Sequence, residues 1–413
     1  MFNRNHGFQA RTTGGFGGHR PSGGYGRFGG FRGGRSGGGR GRGPATSGSA
    51  HAYIQRATMI QAVKTVEAKP SVSVNTLPIN IKLMKNIVAR GYEYLMPIQE
   101  KGIGPILEGK DVIGIANTGT GKTAAFLIPI VEKVMKDPNY RALVITPTRE
   151  LALQIQEDLR TFTRGIPVYS TFCIGQSSMR NQIYELRRNP HVVIGTPGRL
   201  KDLIARRMLR LESFSMIVLD EVDQMLDMGF VQDVKHIISF LPAKRQSLFF
   251  SATLSPEINT IIKSFVVNPI TISVKKTETT SHIKQEVVRT MGKLKIDVLN
   301  DLLKQEEFKK VLIFGRTKMG VERLSRDLFQ KGFKVTSIHG DKPQIKRQQA
   351  IRMFKDDVVS VMVATDVAAR GLDIHDVTHV INFDIPQTYE DYIHRIGRTG
   401  RADKMGTALT FVE

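Results

Sequence analysis

The chain predicts two α/β domains, each on a parallel sheet, behind a basic Gly/Arg-rich tail. Three observations carry this. From about residue 70, short apolar runs alternate with amphipathic stretches of helical period, the pattern of βαβ units. A polar stretch, Lys275-Lys276-Thr277-Glu278-Thr279-Thr280-Ser281, interrupts the alternation, which then restarts. Residues 1–50 differ from everything after them, with 18 Gly, 8 Arg and no acidic residue.

Residues 1–69 are expected to be a disordered tail and linker. Such a composition buries too little apolar area to offset its ordering entropy. Its arginines suit phosphates and cation–π contacts, and its interspersed Phe and Tyr can stack on bases. The first domain is expected over 70–274, with strand candidates at 111–116, 142–147, 168–173, 192–195, 215–220 and 247–251. Helical stretches such as 122–136 and 149–163 lie between them. A linker over 275–285 follows. The second domain, 286–413, has strand candidates at 311–315, 334–338, 359–364, 378–382 and 408–412.

The 413 residues carry a net charge of +22 and a pI near 10.1. That balance implies a polyanionic partner, nucleic acid ahead of a membrane surface. No uncharged apolar run reaches the roughly 18 residues of a membrane span, and the N-terminus lacks the apolar region of a signal peptide. A single cysteine, Cys173, rules out an internal disulfide and fits a reducing, cytoplasmic setting.

Two motifs carry chemistry. The strand candidate 111–116 runs into Ala116-Asn117-Thr118-Gly119-Thr120-Gly121-Lys122-Thr123, and a helical stretch follows. Glycines at such a hinge let backbone N–H groups curl round a phosphate at a helix N-terminus. Lys122 would reach the β- and γ-phosphates, and the Thr123 hydroxyl would ligate Mg2+. Ala116 stands where the strict phosphate-loop pattern begins with Gly. The second motif, Asp220-Glu221-Val222-Asp223, ends the apolar run Ser215-Met216-Ile217-Val218-Leu219. On the same sheet edge as the loop, Asp220 would hold Mg2+, partly through water, and Glu221 would polarise the attacking water.

These motifs, in this order, resemble a DEAD-box RNA helicase of helicase superfamily two, and the resemblance covers about 70–413. It implies two tandem RecA-like domains, with ATP and Mg2+ as cofactors and RNA as partner. Gly91-Tyr92 with Pro97-Ile98-Gln99 resembles the Q motif, in which Gln99 recognises adenine. Pro147-Thr148-Arg149-Glu150-Leu151-Ala152, Gly175 and Thr196-Pro197-Gly198-Arg199 resemble RNA-facing motifs, implying RNA contacts at Arg149, Gly175, Thr196, Gly198 and Arg199. Ser251-Ala252-Thr253 resembles the motif coupling hydrolysis to RNA work, tied by Asp223 and His394 to the acidic motif and the second domain. Ile313-Phe314 with Thr317 also fits the family pattern. Further RNA contacts are implied at Gly340, Gln344, Arg347, Thr365 and Arg370. Asp373 would contact ribose. In His394-Arg395-Ile396-Gly397-Arg398-Thr399-Gly400-Arg401, the resemblance makes Arg398 and Arg401 arginine fingers on the γ-phosphate. Their spacing of three puts them on one helical face.

The chain departs from the family in places. Val222 replaces the alanine of the name-giving tetrapeptide, Val74 stands where an aromatic stacks on adenine, and Leu95-Met96 replaces Pro-Thr. Gly175-Gln176 replaces a Gly pair. The chain reaches Glu413 just after the last strand candidate, without the family's closing helix, as a truncation or a divergent end would. The expected activity is RNA-stimulated ATP hydrolysis that locally unwinds short RNA duplexes or remodels RNA–protein complexes. The rivals are an ATP-gated RNA clamp or annealing chaperone led by the tail, and a DNA-directed helicase.

Overall fold

The computed structural model describes residues 47–61, 72–117, 119–263, 265–274, 282–369, 374, 376–400 and 404–412. The tail up to residue 46, the polar stretch 275–281, and Thr118, Arg370, Asp373 and Arg401 lie outside the described residues.

The first sheet holds seven strands: β1 (Val112–Ala116), β2 (Ala142–Ile145), β3 (Ser170–Cys173), β4 (Val192–Gly195), β5 (Met216–Asp220), β6 (Gln246–Ser251) and β7 (Ile270–Val274). Their order is β3-β4-β2-β5-β6-β1-β7, and every pair is parallel. β2, β4, β5 and β6 are buried along their whole length. That is why they read as continuous apolar runs rather than as alternation. Helices cover both faces, with Phe126, Ile130 and Ile155 in one core layer and Leu200, Ile237 and Ile262 in the other.

The second sheet holds β8 (Ile283–Arg289), β9 (Val311–Phe314), β10 (Val335–Ile338), β11 (Val361–Ala364), β12 (His379–Asn382) and β13 (Gly406–Val412). Its order is β10-β11-β9-β12-β13-β8, again all parallel. The expectation of two parallel-sheet α/β domains holds. The first sheet order matters most for function. It sets the carboxyl ends of β5, β6 and β1 side by side, and those of β3, β4 and β2 beside them. Ligands of open α/β sheets bind outside these ends.

Two boundaries need correction. Residues 283–285, expected within the linker, begin β8, which pairs with β13 from Ile283↔Gly406 onward. Residues 47–61, expected within the disordered tail, form the helix Ser47–Gln61. It packs through Ala57, Tyr53 and Ile54 against Ile283, Tyr389, Tyr392 and Ile396 of the second domain. Tertiary contact overrides a composition that reads as unfolded.

Candidate functional site

The phosphate loop leaves β1 and enters the helix Lys122–Lys136, whose N-cap is Gly121 with φ +87°. Gly119 also has a positive φ, +82°. A Cβ on Gly121 would lie 2.3 Å from Gln99 Nε2, so both conformation and space require glycine there. The Thr120 hydroxyl donates to the Asn117 carbonyl at 2.7 Å and pins the loop. Lys122 is buried and its charge acts on both Asp220 and Glu221. Loop and acidic motif therefore meet, as the sequence implied.

Gln99 is fully buried. Its Oε1 accepts from the Met96 N–H at 3.0 Å, and its Nε2 donates to the Gly121 carbonyl at 3.0 Å. The amide thus ties the Q-motif helix to the phosphate loop. Val74 has no exposed surface and packs in the first-domain core.

At the end of β5, Asp220 and Glu221 are 2% and 3% exposed. The Glu221 N–H donates to Asp220 Oδ1 at 3.0 Å. Glu221 has φ +55° and caps the helix Val222–Asp227. A non-glycine residue held there stores about 1–3 kcal/mol, a recurring feature of functional sites. Burial pushes the Glu221 carboxyl up to about 7, and the neighbouring Asp220 charge adds to this; Lys122 and Arg398 pull it back. Burial also raises Asp220. Glu221 Oε2 is buried without a hydrogen-bond partner, an unpaired acceptor of the kind that calls for a functional explanation.

Asp223 reaches the Ser251–Thr253 segment. Its Oδ2 accepts from the backbone N–H groups of Ala252 (3.0 Å) and Thr253 (3.1 Å), and from the Thr253 hydroxyl at 3.4 Å. Ser251 differs: its hydroxyl oxygen is buried without a partner. β6 thus carries the Ser-Ala-Thr motif between the acidic strand end and the phosphate loop.

From the second domain comes Arg398, 4% exposed, whose Nε donates to the His394 carbonyl at 3.3 Å. Its influence on Glu221 brings the two domains to one site. The helix Tyr389–Ile396 that precedes it is held by a residue the sequence reading did not single out. Arg395 bonds both Asp366 carboxylate oxygens, at 2.5 and 2.8 Å, and also reaches Asn382 Oδ1 and the Asp384 carbonyl. Such a two-pronged, charge-assisted contact fixes orientation as well as distance. Its signal was the buried polar chain ends of β11 and β12, which no spacing rule exposes.

The RNA-facing candidates gather at the ends of β3, β4 and β2 and across the cleft. Gly198, at the start of the helix Pro197–Ala205, would have nothing within 4 Å of an added Cβ. A Cβ on Gly175 would meet Arg149 Nη2 at 3.0 Å. Arg199 Nη1 donates to Gln182 Oε1 at 2.9 Å. Arg149 has its pKa lowered by burial and by the charges of Arg347 and Arg199, against Glu150. Arg149 thus lies near two further guanidinium groups and one carboxylate, an excess of positive charge that suits an anion. Arg149 Nη1, Gln344 Oε1 and Arg347 Nε are buried without partners there. Thr196 and Thr365 are buried nearby in sequence at strand ends, and Gly340 follows β10.

Glu150 joins the domains. Arg347 Nη2 lies 2.8 Å from Glu150 Oε2, with side chains 8% and 4% exposed. Gln344 Nε2 donates to Glu150 Oε1 at 3.1 Å. Gln344 and Arg347, expected on RNA, therefore contact the first domain.

The family profiles agree with this geometry. The DEAD/DEAH box helicase profile matches residues 96–261, and the helicase conserved C-terminal domain profile matches 294–403. An ATP-dependent RNA helicase CshA of Listeria monocytogenes is 48% identical over 334 residues, 80% of this chain and 64% of its own length. A DEAD-box ATP-dependent RNA helicase CshA of Geobacillus kaustophilus is 48% identical over 343 residues, 81% of this chain and 72% of its own length. This chain thus spans about two-thirds of those relatives, and somewhat less than that of the Listeria protein. Among solved structures, S. cerevisiae Dbp5 bound to RNA and ADP BeF3 superposes with a TM-score of 0.74 at 32% identity, covering 83% of this chain and 90% of that one. The DEAD-box helicase Mss116 bound to ssRNA and UDP-BeF gives a TM-score of 0.75 at 28% identity, covering 84% and 76%. With both domain profiles matched and 48% identity to these relatives over about four-fifths of its length, the chain belongs to the DEAD-box branch of the DEAD/DEAH box helicases.

Proposed function

We propose that this chain is an ATP-dependent RNA helicase, in which RNA-stimulated ATP hydrolysis separates or remodels short RNA duplexes. The observation that carries this is the meeting of Lys122, Asp220, Glu221 and Arg398, drawn from both domains, in one buried site. ATP phosphates would lie on the Gly119–Gly121 backbone, with Lys122 reaching the β- and γ-phosphates. Thr118 belongs to the same loop by sequence. Gln99 would meet adenine by exchanging a bond to Met96 or Gly121 for one to the base.

Among the described residues no cluster of three or more His, Cys, Asp or Glu could cage a metal ion alone. That suits Mg2+, which prefers one or two protein oxygens together with phosphates and water. Thr123 and Asp220 would hold it, and it would neutralise charge on the phosphates. Glu221 would orient and polarise the attacking water through its orphan Oε2. Its raised pKa suits proton acceptance near neutrality. Arg398, and Arg401 by sequence, would meet the charge developing on the γ-phosphoryl oxygens; such fingers are worth ~10³–10⁵ in rate. Asp373 would bind the ribose, and Ser251, Thr253 and His394 would pass closure between the sites.

RNA would run over Arg149, Gly175, Thr196, Gly198 and Arg199, and over Gly340, Thr365 and Arg370 of the second domain. Contact would be chiefly to phosphate and 2′-OH, hence weakly sequence-specific. The buried lone Cys173 accords with cytoplasmic work.

Glu221→Gln is the direct test. ATP and RNA binding should persist while RNA-stimulated turnover falls by at least ~10²-fold. Retained turnover would remove Glu221 from its role, and equal ATPase rates with and without RNA would count against the helicase reading.

A further inference from the structure

The helix Tyr389–Ile396 presents two faces with different tasks. On one, Arg395 grips Asp366, Asn382 and the Asp384 carbonyl. On the other, Tyr389, Tyr392, Ile393 and Ile396 form a stripe at i, i+3, i+4 and i+7, the spacing of a face that needs cover. Ile283 of β8 and Ala408 of β13 adjoin that stripe. The N-terminal helix Ser47–Gln61 meets it through Tyr53, Ile54 and Ala57, at i, i+1 and i+4.

The contact is specific. Ala57 is fully buried in the cluster formed with Tyr389, Tyr392 and Ile396, so there is no room for a much larger or charged side chain. The Tyr53 ring lies 6.0 Å from Tyr389 and 5.8 Å from Tyr392. The Tyr53 hydroxyl donates to the Gln387 carbonyl at 3.2 Å, just before the helix begins. The Arg56 guanidinium sits 4.1 Å over the Tyr389 ring. Beneath, the Tyr392 hydroxyl donates to Gln285 Oε1 at 2.7 Å, tying the stripe to β8. Arg398 follows this helix by two residues and bonds back to the His394 carbonyl within it. Any tilt or fraying of the helix displaces the guanidinium that acts on Glu221.

We propose that the helix Ser47–Gln61 is a positioning element for Arg398: by covering the Tyr389–Ile396 stripe it holds the helix that aims this arginine into the ATP site. The inference rests on the hydrolytic reading of that site. Its described contacts are with the second domain, so it changes the rate of the step Arg398 serves and leaves nucleotide affinity of the first domain alone. It also assigns the chain between the Gly/Arg-rich tail and the first domain a role in turnover.

The test replaces Ala57 with Glu, which forces a charge into this cluster, and with Ser, which fits it. A separate chain lacking residues 1–61 is assayed with and without a peptide of residues 47–61. Amide exchange over 389–399, affinity for a non-hydrolysable ATP analogue, and RNA-stimulated kcat and KM are measured. For Ala57→Glu, exchange over 389–399 should accelerate and kcat should fall by about 10-fold or more, with analogue affinity unchanged. Ala57→Ser should match the parent, and the peptide should restore kcat to the truncated chain saturably. Faster exchange with unchanged kcat would reduce the helix to a structural cover and overturn the proposal. Unchanged exchange would show that it does not dock. A parent protein without RNA-stimulated turnover would remove the hydrolytic reading itself, a failure visible before any substitution is made.

Discussion

Arg347→Ala should open the cleft between the domains. In the closed arrangement the Glu150 carboxylate takes Arg347 Nη2 at 2.8 Å on one oxygen and Gln344 Nε2 at 3.1 Å on the other. Both ionic side chains are under a tenth exposed. Removing the guanidinium strands a buried carboxylate with one neutral donor, which costs about 3–5 kcal/mol in a rigid interior. Here the protein has an escape, because opening the cleft returns Glu150 to water. The penalty therefore falls on the closed state relative to the open one. At roughly 1.4 kcal/mol per factor of ten, even about 3 kcal/mol lowers the closed-to-open ratio more than a hundredfold. Single-molecule energy transfer reads this directly. Cysteines placed at the exposed Tyr184 and Phe329 carry the dyes, one in each domain. Cys173 will not compete, because it is buried and its thiol is pushed up to about 12. With ATP analogue and RNA, Arg347→Ala should populate the low-transfer state, and the RNA concentration for half-maximal ATPase should rise. Glu150→Gln should do the same, and Glu150→Gln with Arg347→Ala should cost less than the two single effects added. An unchanged closed population, or strict additivity, would refute the assignment of Glu150–Arg347 as the clasp.

Gly121→Ala forces a side chain onto a φ of +87° and into Gln99 Nε2. Affinity for a fluorescent ATP analogue should fall by ~10-fold or more, as expected from about 1–3 kcal/mol of strain; unchanged affinity would show that the loop relaxes freely. Val222→Ala, which restores the family tetrapeptide, removes buried methyls from a core layer shared with Met225. It should leave ATPase intact while lowering unfolding stability by about 1–3 kcal/mol, and a lost ATPase would give Val222 a part in the chemistry. His191 and His379 are both held below the ordinary imidazole value of 6.5, chiefly by burial. At His191 the Arg141 charge adds to this, while at His379 Glu307 and Glu286 oppose it. The folded state then binds fewer protons than the unfolded one just below pH 6.5, so stability is full above that pH and declines as pH falls through the window. The urea midpoint should drop from pH 7.5 to 5.5, and His379→Gln should flatten the decline; an unchanged slope would clear His379 of it.

The parts of this molecule that were legible in the sequence are those where one local rule suffices. Buried parallel strands announce themselves as short apolar runs, and Gly-Lys-Thr after such a run needs little else. β7 escaped because its residues alternate in exposure and it borders the polar stretch, and β8 because its first residues, Lys284 and Gln285 among them, read as linker. The helix Ser47–Gln61 escaped although Ala50, Tyr53, Ile54 and Ala57 have helical spacing: two of the four are alanines, so the apolar signal is faint until the partner face is known. The clasp was hidden for a different reason. Glu150 sits in the same motif as Arg149, and nothing local says that one of them faces a second domain. Sheet order is the deepest case. β1 is separated from β5 by about a hundred residues of chain, and only the crossovers that insert β6 between them bring Lys122, Asp223 and Thr253 to one edge. The chemistry of each motif could be assigned residue by residue, but their adjacency is a property of topology. It follows that substitutions which keep every motif intact, yet loosen the helix Tyr389–Ile396 or the Glu150 clasp, should uncouple hydrolysis from RNA while leaving each ligand bound.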